Sequence, residues 1–285
     1  MLKKLFPYLG EYKHLAIITP LLMILEVACE LALPRFMANI VDVGIPSNDL
    51  SYILRMGAVM LVLAVCSMLC GMFGAKFAAI TGQGFGANLR RSIYNKVQEF
   101  SFADIDRFSS ASLITRITND VNAIQMMVTM ALRLLVRAPV MLIAALAVAF
   151  TINPSLVLVM LVTIPLLVLA IGVLMMVCNR LFSVLQTRID ALNATVQENL
   201  VAIRVVKAFV REGYEKTKFK TSNDDLTQAT IQVGMRVIAM IPIMMIAMNC
   251  ATAAVLYLGG GQVVAGDMLI GDLSSFITYI FQILM

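Results

Sequence analysis

Two glycine-rich stretches of the chain have residue types that bind phosphate in other proteins. LGGGQ at residues 258–262 differs by one residue from LSGGQ, a nucleotide-contacting signature of some ATPases, and GQGFGA at residues 82–87 loosely matches a dinucleotide-binding loop. Such a loop follows a buried strand and opens a crossover helix, whereas both stretches here follow long apolar runs. We therefore predict that residues 258–262 end a helix in a turn. The glycines of residues 82–87 are expected to let neighbouring helices approach closely.

Two carboxylates and two methionines inside the apolar runs are the candidates for a substrate cavity. Glu26 and Glu30 lie one helical turn apart, and a charge in hydrocarbon costs about 2.5 kcal/mol or more, so both must face protein or water. They either attract cationic substrates or pair with an internal cation. Met244 and Met248 have flexible thioethers that suit a promiscuous surface, and the alternative is packing or lipid contact. The candidate internal cations are Arg35, Arg133 and Arg137.

Other chemistry is not indicated by the sequence. The five cysteines all lie inside apolar stretches, and no His or further Cys accompanies them at the spacing of metal ligands. The sequence contains no G-x-x-x-x-G-K-[ST] loop that would cradle phosphate. We therefore expect no catalytic, cofactor-binding or metal-ligating residue in this chain. The cysteines, each predicted to be a small packing residue, are Cys29, Cys66, Cys70, Cys178 and Cys250.

The elements that position these residues are determined by a very apolar composition. Of the 285 residues, 60% are apolar and 14% charged, and the mean hydropathy is +0.90. A soluble domain is about half apolar and about a quarter charged, so the excess requires a bilayer to solvate it. The net charge of +5 is spread over segments that follow apolar runs, which favours anionic headgroups over nucleic acid. The sequence predicts an integral membrane protein.

Six apolar segments are long enough, or nearly so, to cross hydrocarbon as helices. Lys and Arg number 22 in the chain, and 20 of them lie in residues 1–14, 76–137 and 180–236. The positive-inside rule therefore places both termini and the two long connections in the cytoplasm of a multi-pass plasma-membrane protein, which we expect to be a bacterial inner-membrane protein. The predicted spans are about 14–38, 53–73, 132–152, 156–178, 237–258 and 268–285.

The two long connections, about 76–131 and 180–236, are predicted to be helical stalks. Residues 51–99 as one helix would be about 73 Å long, while hydrocarbon takes only about 30 Å. Aromatic, acidic and basic clusters interrupt the stalks at residues 101–112 and 207–219, and we predict that these two tips dock on a partner in the cytoplasm. The helical period of the first stalk is carried by Ile114, Ile117, Val121, Ile124 and Val128.

Two stretches make the chain resemble the transmembrane domain of a type I ABC exporter, the multidrug and lipid-exporting family. They are LRRSIYNKVQEFSFADIDRFSSASLITRITNDVNAI and QENLVAIRVVKAFVREGYEKTKF. Arg116 and Asp120 match the stalk motif of the first stretch, and Arg204 matches that of the second. INPSLVLVMLVTIPLL is similar to the tight outer turn and fourth span of the family. The resemblance covers essentially the whole chain, residues 1–285, as a single domain.

The resemblance implies an all-α membrane protein with six transmembrane helices, long cytoplasmic extensions and two coupling helices. The coupling helices would be about Phe102–Phe108 and Phe209–Lys216, and in the family they dock on ATP-binding cassettes. Two such chains, identical or different, would form a dimer. The residues expected to couple to the ATPase are Phe102, Asp104, Asp106, Phe108, Phe209, Arg211, Glu212, Tyr214 and Glu215.

The resemblance also implies a nucleotide-binding domain as partner, fused after the sixth span or separate, which would bind ATP and Mg²⁺. Because no such cassette occurs in these 285 residues, we expect a truncated chain that is no enzyme by itself. Multidrug, lipid or peptide export is the expected function. An ion-gradient-driven secondary transporter is an alternative that would show an internal repeat and discontinuous helices. A non-transport membrane scaffold is another, and it would need no pair of docking tips.

Overall fold

The computed structural model describes residues 6–101 and 108–284, and within these ranges the chain forms helices and turns without strands. The all-α prediction is thereby confirmed. A 3-10 helix, Phe6–Tyr12, precedes the first α-helix, and two short π-helical segments, Ile40–Gly44 and Arg116–Asp120, interrupt later ones. The α-helices are α1 Lys13–Asn39, α2 Leu50–Gln98, α3 Ser110–Thr115, α4 Val121–Ile152, α5 Pro154–Val201, α6 Ile203–Ala208, α7 Glu212–Ile238, α8 Met240–Ala265 and α9 Ile270–Leu284.

Five helical stretches in the described part of the chain are long and apolar enough to cross a membrane, and α9 is a shorter apolar helix of 15 residues. The predicted continuation of the second span into the first stalk is confirmed, because α2 is one helix of 49 residues. At 1.5 Å per residue it is about 73 Å long, more than twice the thickness of hydrocarbon. The five stretches are Phe6–Gly44, Leu50–Gln98, Ala111–Ile152, Pro154–Val201 and Glu212–Ala265.

The tight turn between α4 and α5 follows from its sequence. Asn153 has an extended backbone, and its Oδ1 accepts hydrogen bonds from the backbone N–H groups of Ser155 at 3.0 Å and Leu156 at 3.3 Å. Pro154 occupies the first position of α5, where no backbone donor is needed. Asn153 is therefore an N-cap in the ordinary sense, and the turn needs only one non-helical residue.

The described residues divide into two compact units, one of residues 6–101, 108–157 and 258–283 and one of residues 158–257 and 284. The first unit contains α1, α2, α4 and α9, and its stalk has a core of Phe85, Leu89 and Val121. The predicted apolar face of this stalk holds from Val121 onward but not at Ile114, which is exposed. The reason is the π-helical segment between them, which adds a residue to one turn and shifts the face.

The predicted helix end at LGGGQ is wrong. Its three glycines lie inside α8, which continues to Ala265, and the chain turns at Gly266, whose φ is +84°. Packing explains the difference, because a Cβ at Gly259 would lie 2.6 Å from Leu273 Cδ1 and 3.2 Å from Leu156 Cδ1. The first glycine thus permits close packing within a continuous helix, and this contact outweighs the low helix propensity of glycine.

Candidate functional site

The two carboxylates predicted for a cavity share one cation. Arg137 on α4 donates from Nη1 to Glu26 Oε1 at 2.6 Å, and from Nη2 to the carboxylate oxygens of Glu30 at 2.9 and 3.0 Å. Of the three predicted candidate cations, Arg137 contacts both acids, whereas Arg35 pairs with Asp272 at 2.5 Å. This arrangement ties the first apolar helix to the third by three charge-assisted hydrogen bonds.

The cluster is enclosed most tightly around Glu26. Its side chain is 8% exposed, and Oε2 has no hydrogen-bond partner among the described residues. The carboxylate packs against α2 at Gly71, where a Cβ would lie 3.0 Å from Glu26 Oε1. Glycine at this position therefore makes room for the ion cluster between α1, α2 and α4. Two carboxylates and one guanidinium leave one formal negative charge there.

A second polar contact joins α1 to α9. The hydroxyl of Tyr279 donates to the carbonyl of Leu31 at 2.8 Å, and Ser275 Oγ donates to the carbonyl of Pro34 at 2.6 Å, all within a buried interface. Sequence reasoning missed both residues, because a Tyr and a Ser in an apolar helix give no signal of which carbonyl they reach. Buried hydroxyls in a membrane helix need hydrogen-bond partners. That rule predicts that α9 contacts another helix at these residues, but it does not say which helix.

Gly271 at the start of α9 makes the closest approach to α1 in this contact. Its N–H donates to Asp42 Oδ1 at 2.7 Å, and a Cβ would lie 2.6 Å from the backbone carbonyl of Ala38. We expect Gly271→Ala to lower the free energy of unfolding by about 1–3 kcal/mol, because backbone cannot move aside as a side chain can. Gly260→Ala is the control, since nothing lies within 4 Å of a Cβ there. Thermal unfolding in detergent measures both, and equal midpoints would contradict the close contact.

Gln262, the last residue of LGGGQ, links α8 to the turn between α4 and α5. Its Oε1 accepts a short hydrogen bond from Asn153 Nδ2, and its Nε2 donates to Ser155 Oγ at 2.9 Å. Asn153 Nδ2 also approaches Met268 Sδ at 3.8 Å. The glutamine of this motif thus has a structural role in the first unit.

The glycines of GQGFGA do allow close helix packing, as predicted. A Cβ at Gly82 would overlap Thr129 of α4, and one at Gly86 would overlap Gln125. Beside them, Arg90 Nη2 donates to Gln125 Oε1 at 3.1 Å. These contacts join α2 and α4 in the first stalk, and side chains larger than hydrogen at the two glycines would force the helices apart.

The first tip is described only in part. Phe102, Asp104 and Asp106, which were predicted to couple to the ATPase, lie outside the described residues. Phe108 is half-buried, with its ring stacked on Phe100 at a centroid distance of 5.8 Å and the guanidinium of Arg116 at 5.3 Å from its centroid. Both Arg116 and Asp120 lie exposed in the π-helical segment. Phe108 therefore packs against Phe100 and Arg116, which are both residues of the first stalk.

The second tip differs from the predicted coupling helix at Phe209–Lys216. The short helix α6, Ile203–Ala208, ends just before this range, Phe209 begins a turn in which Val210 has a φ of +51°, and α7 begins at Glu212. A β-branched residue with positive φ is strained, so an interruption predicted within residues 207–219 could not be assigned to Val210 from its residue type. Phe209 and Val210 expose 74% and 79% of their surface.

Ion pairs and hydrogen bonds brace the second tip from α5 to α7. Lys218 Nζ contacts Glu198 at 2.6 Å, Asn199 Nδ2 donates to Glu215 Oε2 at 3.0 Å, and Arg188 pairs with Asp225 at 2.9 Å further along. The hydrogen bond to Glu198 raises the pKa of the Lys218 ammonium. Of the other predicted tip and stalk residues, Glu212 is half-buried, and Arg204, Arg211 and Tyr214 are exposed.

Met244 and Met248 lie half-buried on α8 in the second unit. Near them, an apolar groove of about 430 Å³ separates α5 from α8, and neither methionine lines it. Small side chains on α8 leave the space open against larger ones on α5. The groove is lined by Leu158, Val159, Val162, Thr163, Leu166, Ala247, Cys250, Ala251 and Ala254.

Long apolar helices that continue into braced polar stalks define a multi-pass membrane domain. The sequence profile of the ABC transporter transmembrane region matches residues 16–285. The chain belongs to this family of membrane domains, which are not themselves the ATPase.

Relatives agree with this assignment. An uncharacterized ABC transporter ATP-binding protein of Bacillus subtilis, YfiB, is 35% identical over 99% of this chain and 49% of its own length. One of Mycobacterium tuberculosis, MT1311, is 33% identical over 100% of this chain and 49% of its own. An ATP-dependent lipid A-core flippase of Syntrophus aciditrophicus is 27% identical over 75% of this chain and 36% of its own length. The chain thus spans about half the length of the first two.

Proposed function

We propose that this chain is the membrane-spanning half of an ATP-driven exporter. It forms the substrate pathway and receives motion from a nucleotide-binding domain through its two tips. The observation that carries the proposal is the second tip, where Phe209 and Val210 are exposed on a turn that ion pairs brace. Exposed apolar side chains on a rigid turn suit a docking surface. The relatives are named as ATP-binding proteins, which supports a nucleotide-binding domain as the partner that docks there.

Stiffness is the property that this function demands of the stalks. Nucleotide binding would bring two cassettes together, and the stalks would carry that displacement to the spans and switch the side from which the pathway is open. The contacts of Lys218 with Glu198 and of Asn199 with Glu215 oppose bending between α5 and α7. ATP and Mg²⁺ would be bound by the partner domain, and a second membrane subunit would complete the pathway. The tips and both termini would face the cytoplasm, in a bacterial inner membrane.

The substrate class that we propose is an amphipathic, lipid-like molecule. The apolar groove between α5 and α8 offers surface to an acyl chain, with Thr163 as its one hydroxyl-bearing residue. The flippase among the relatives is named for a lipid substrate, which supports the same class. Drug or peptide export are the other substrate classes that this fold accommodates.

The proposal is tested by producing the chain together with its nucleotide-binding domain and reconstituting both into vesicles. We expect ATP hydrolysis by the domain to rise when the chain is present, and fluorescent phospholipid analogues to change leaflet only with ATP. Movement driven by an imposed ion gradient without ATP would indicate a secondary transporter instead. A folded chain that leaves ATP hydrolysis unchanged would indicate a scaffold.

A further inference from the structure

The second tip carries cations that its bracing contacts do not use. From residue 204 to residue 211 the chain has three basic residues, Arg204, Lys207 and Arg211, and no acidic one. All of them are exposed, and none forms a side-chain hydrogen bond or ion pair with a described residue. We call these residues the cationic face. Because the next residue, Glu212, is a half-buried acid, the cationic face keeps an excess of positive charge.

The short helix α6 turns the cationic face away from its own unit. Val206 is 8% exposed, so it marks the side of α6 that packs within the unit. Successive residues are about 100° apart around a helix, which puts Arg204 about 160° and Lys207 about 100° from Val206. Arg204 therefore lies opposite the packed side, and Lys207 lies at its edge.

The end of α6 fixes the backbone of the third cation. The N–H of Val210 donates to the carbonyl of Lys207 at 3.3 Å, and the N–H of Arg211 donates to the carbonyl of Val206 at 2.9 Å. Together with the φ of +51° at Val210, these two bonds form a Schellman motif. The turn thus holds Arg211 at the end of α6 through its backbone, which leaves the guanidinium available to a partner.

Exposed apolar side chains lie among the cations. Val205, Phe209 and Val210 expose 58%, 74% and 79% of their surface. A basic surface that is merely solvated needs no such side chains, whereas protein interfaces combine aromatic residues with arginine. Nucleic acid would be bound mainly through its phosphates and would not cover the apolar residues. The combination favours a protein partner with both carboxylates and apolar surface.

A second copy of the chain is disfavoured as the occupant of this face. In a two-fold contact the same surface patch meets itself, so one cationic face would oppose another and like charges would repel. A nucleotide-binding domain is favoured by the relatives, which are named as ATP-binding proteins and about half of whose length this chain spans.

We propose that the nucleotide-binding domain that docks on the second tip carries carboxylates opposite Arg204 and Lys207, beside an apolar pocket for Phe209. This inference rests on the proposed function, because it gives the chemistry of the partner surface. Charges around an apolar contact steer and orient the partner more than they add to affinity. The cationic face thus sets how the domain approaches the tip, and Phe209 retains the domain once it has docked.

Binding kinetics test the proposal, with the purified chain in detergent and the nucleotide-binding domain immobilised. We expect Arg204→Glu/Lys207→Glu to slow association at least about tenfold and to leave the dissociation rate nearly unchanged. Raising salt from about 0.1 M to about 1 M shortens the Debye length from about 10 Å to about 3 Å. We expect this to slow association of the unaltered chain but not that of the variant.

Arg180→Glu/Arg236→Glu is the matched control for the charge reversal. It reverses the same number of charges at exposed positions of the same unit, outside the second tip, and we expect association as fast as that of the unaltered chain. Thermal unfolding is expected to be unchanged in both variants, because all the altered side chains are exposed, and it separates lost docking from misfolding.

Carbodiimide cross-linking identifies the partner groups. A carbodiimide joins an amine to a carboxylate that touches it, so we expect a peptide in which Lys207 Nζ is linked to an Asp or Glu of the domain. Lys207→Arg retains the charge and is expected to retain binding, but it removes this link because a guanidinium is not coupled. Links from other lysines alone would place the docking surface elsewhere.

The outcomes separate the inference from the function on which it rests. If the domain binds but the charge reversal leaves association unchanged, the cations are solvated and the proposed function stands. If the unaltered chain does not bind the domain, both fail. Lost self-association in the variant, with domain binding intact, would make this face a contact between copies. Binding of an oligothymidine in preference to the domain would make a polyanion the partner.

Discussion

Replacing Arg137 with methionine is expected to lower the free energy of unfolding by about 3–5 kcal/mol, the cost of removing one partner from a buried ion pair. Arg137 is within 3.0 Å of both Glu26 and Glu30. Without it, two carboxylates one helical turn apart would remain in a membrane interior with no cation. Glu26 cannot turn to solvent, because its side chain is 8% exposed and packs against Gly71.

Neutralising all three residues is expected to restore stability. In Glu26→Gln/Glu30→Gln/Arg137→Met, no charge is left in the interior, and replacing a whole buried ion cluster by neutral groups is often neutral or stabilising. Arg133→Met, one helical turn earlier on α4, is the matched control, since Arg133 is exposed and forms no ion pair with a described residue. We expect the triple variant and the control to resemble the unaltered chain.

Buried cysteines make the measurement direct. Cys29, Cys70 and Cys178 are buried and Cys66 and Cys250 are exposed, so in a Cys66→Ser/Cys250→Ser background a thiol-reactive dye reports unfolding of the purified chain in detergent as the buried thiols become accessible. The expected decrease in the midpoint for Arg137→Met is roughly 10 °C. If Arg137→Met unfolds at the same temperature as Arg133→Met, or if the triple variant is no more stable than Arg137→Met, the ion cluster does not have the structural role that its geometry suggests.

The sequence predicted the helices well, because long apolar or periodic runs leave a chain in a bilayer few alternatives. The single helix over α2 is the clearest case. Contacts between helices were less accessible. The apolar run with two acids required a cation, but three arginines met that requirement, and only packing selects Arg137 over Arg35, which pairs with Asp272.

Local breaks were predicted least well. Three consecutive glycines in LGGGQ favour a turn, yet Gly259 packs against Leu273 inside a continuous helix. Conversely, Val210 favours extended or helical backbone, yet it has a φ of +51° in the turn that ends α6. In both places a tertiary contact or a strained turn outweighs local preference. The coupling helix at about Phe209–Lys216 was implied by the family resemblance, and within that range the structure has a turn at Phe209 and Val210 followed by the start of α7 at Glu212.

Truncating Phe209 to alanine is expected to uncouple ATP hydrolysis from transport in the complete assembly. An aromatic side chain at the centre of a docking surface contributes about 2 kcal/mol or more, which is roughly a 30-fold change in an equilibrium constant. Phe209 is 74% exposed on the braced turn, so its removal leaves the fold of the chain unaffected. We expect the amount of substrate moved per ATP hydrolysed to fall at least about tenfold, with basal hydrolysis retained.

Phe182→Ala is the matched control for Phe209→Ala, because the same residue type is 50% exposed on α5 in the same unit. It is expected to leave coupling intact. Val210→Gly adds a second test, since glycine adopts a φ of +51° without strain and removes only the exposed side chain. If the tip acts through contact, Val210→Gly also weakens coupling, although its turn is more stable. Full coupling in both tip variants would mean that the partner domain docks elsewhere. An equal loss of coupling in Phe182→Ala would mean that coupling depends on exposed aromatic surface in general and not on the second tip.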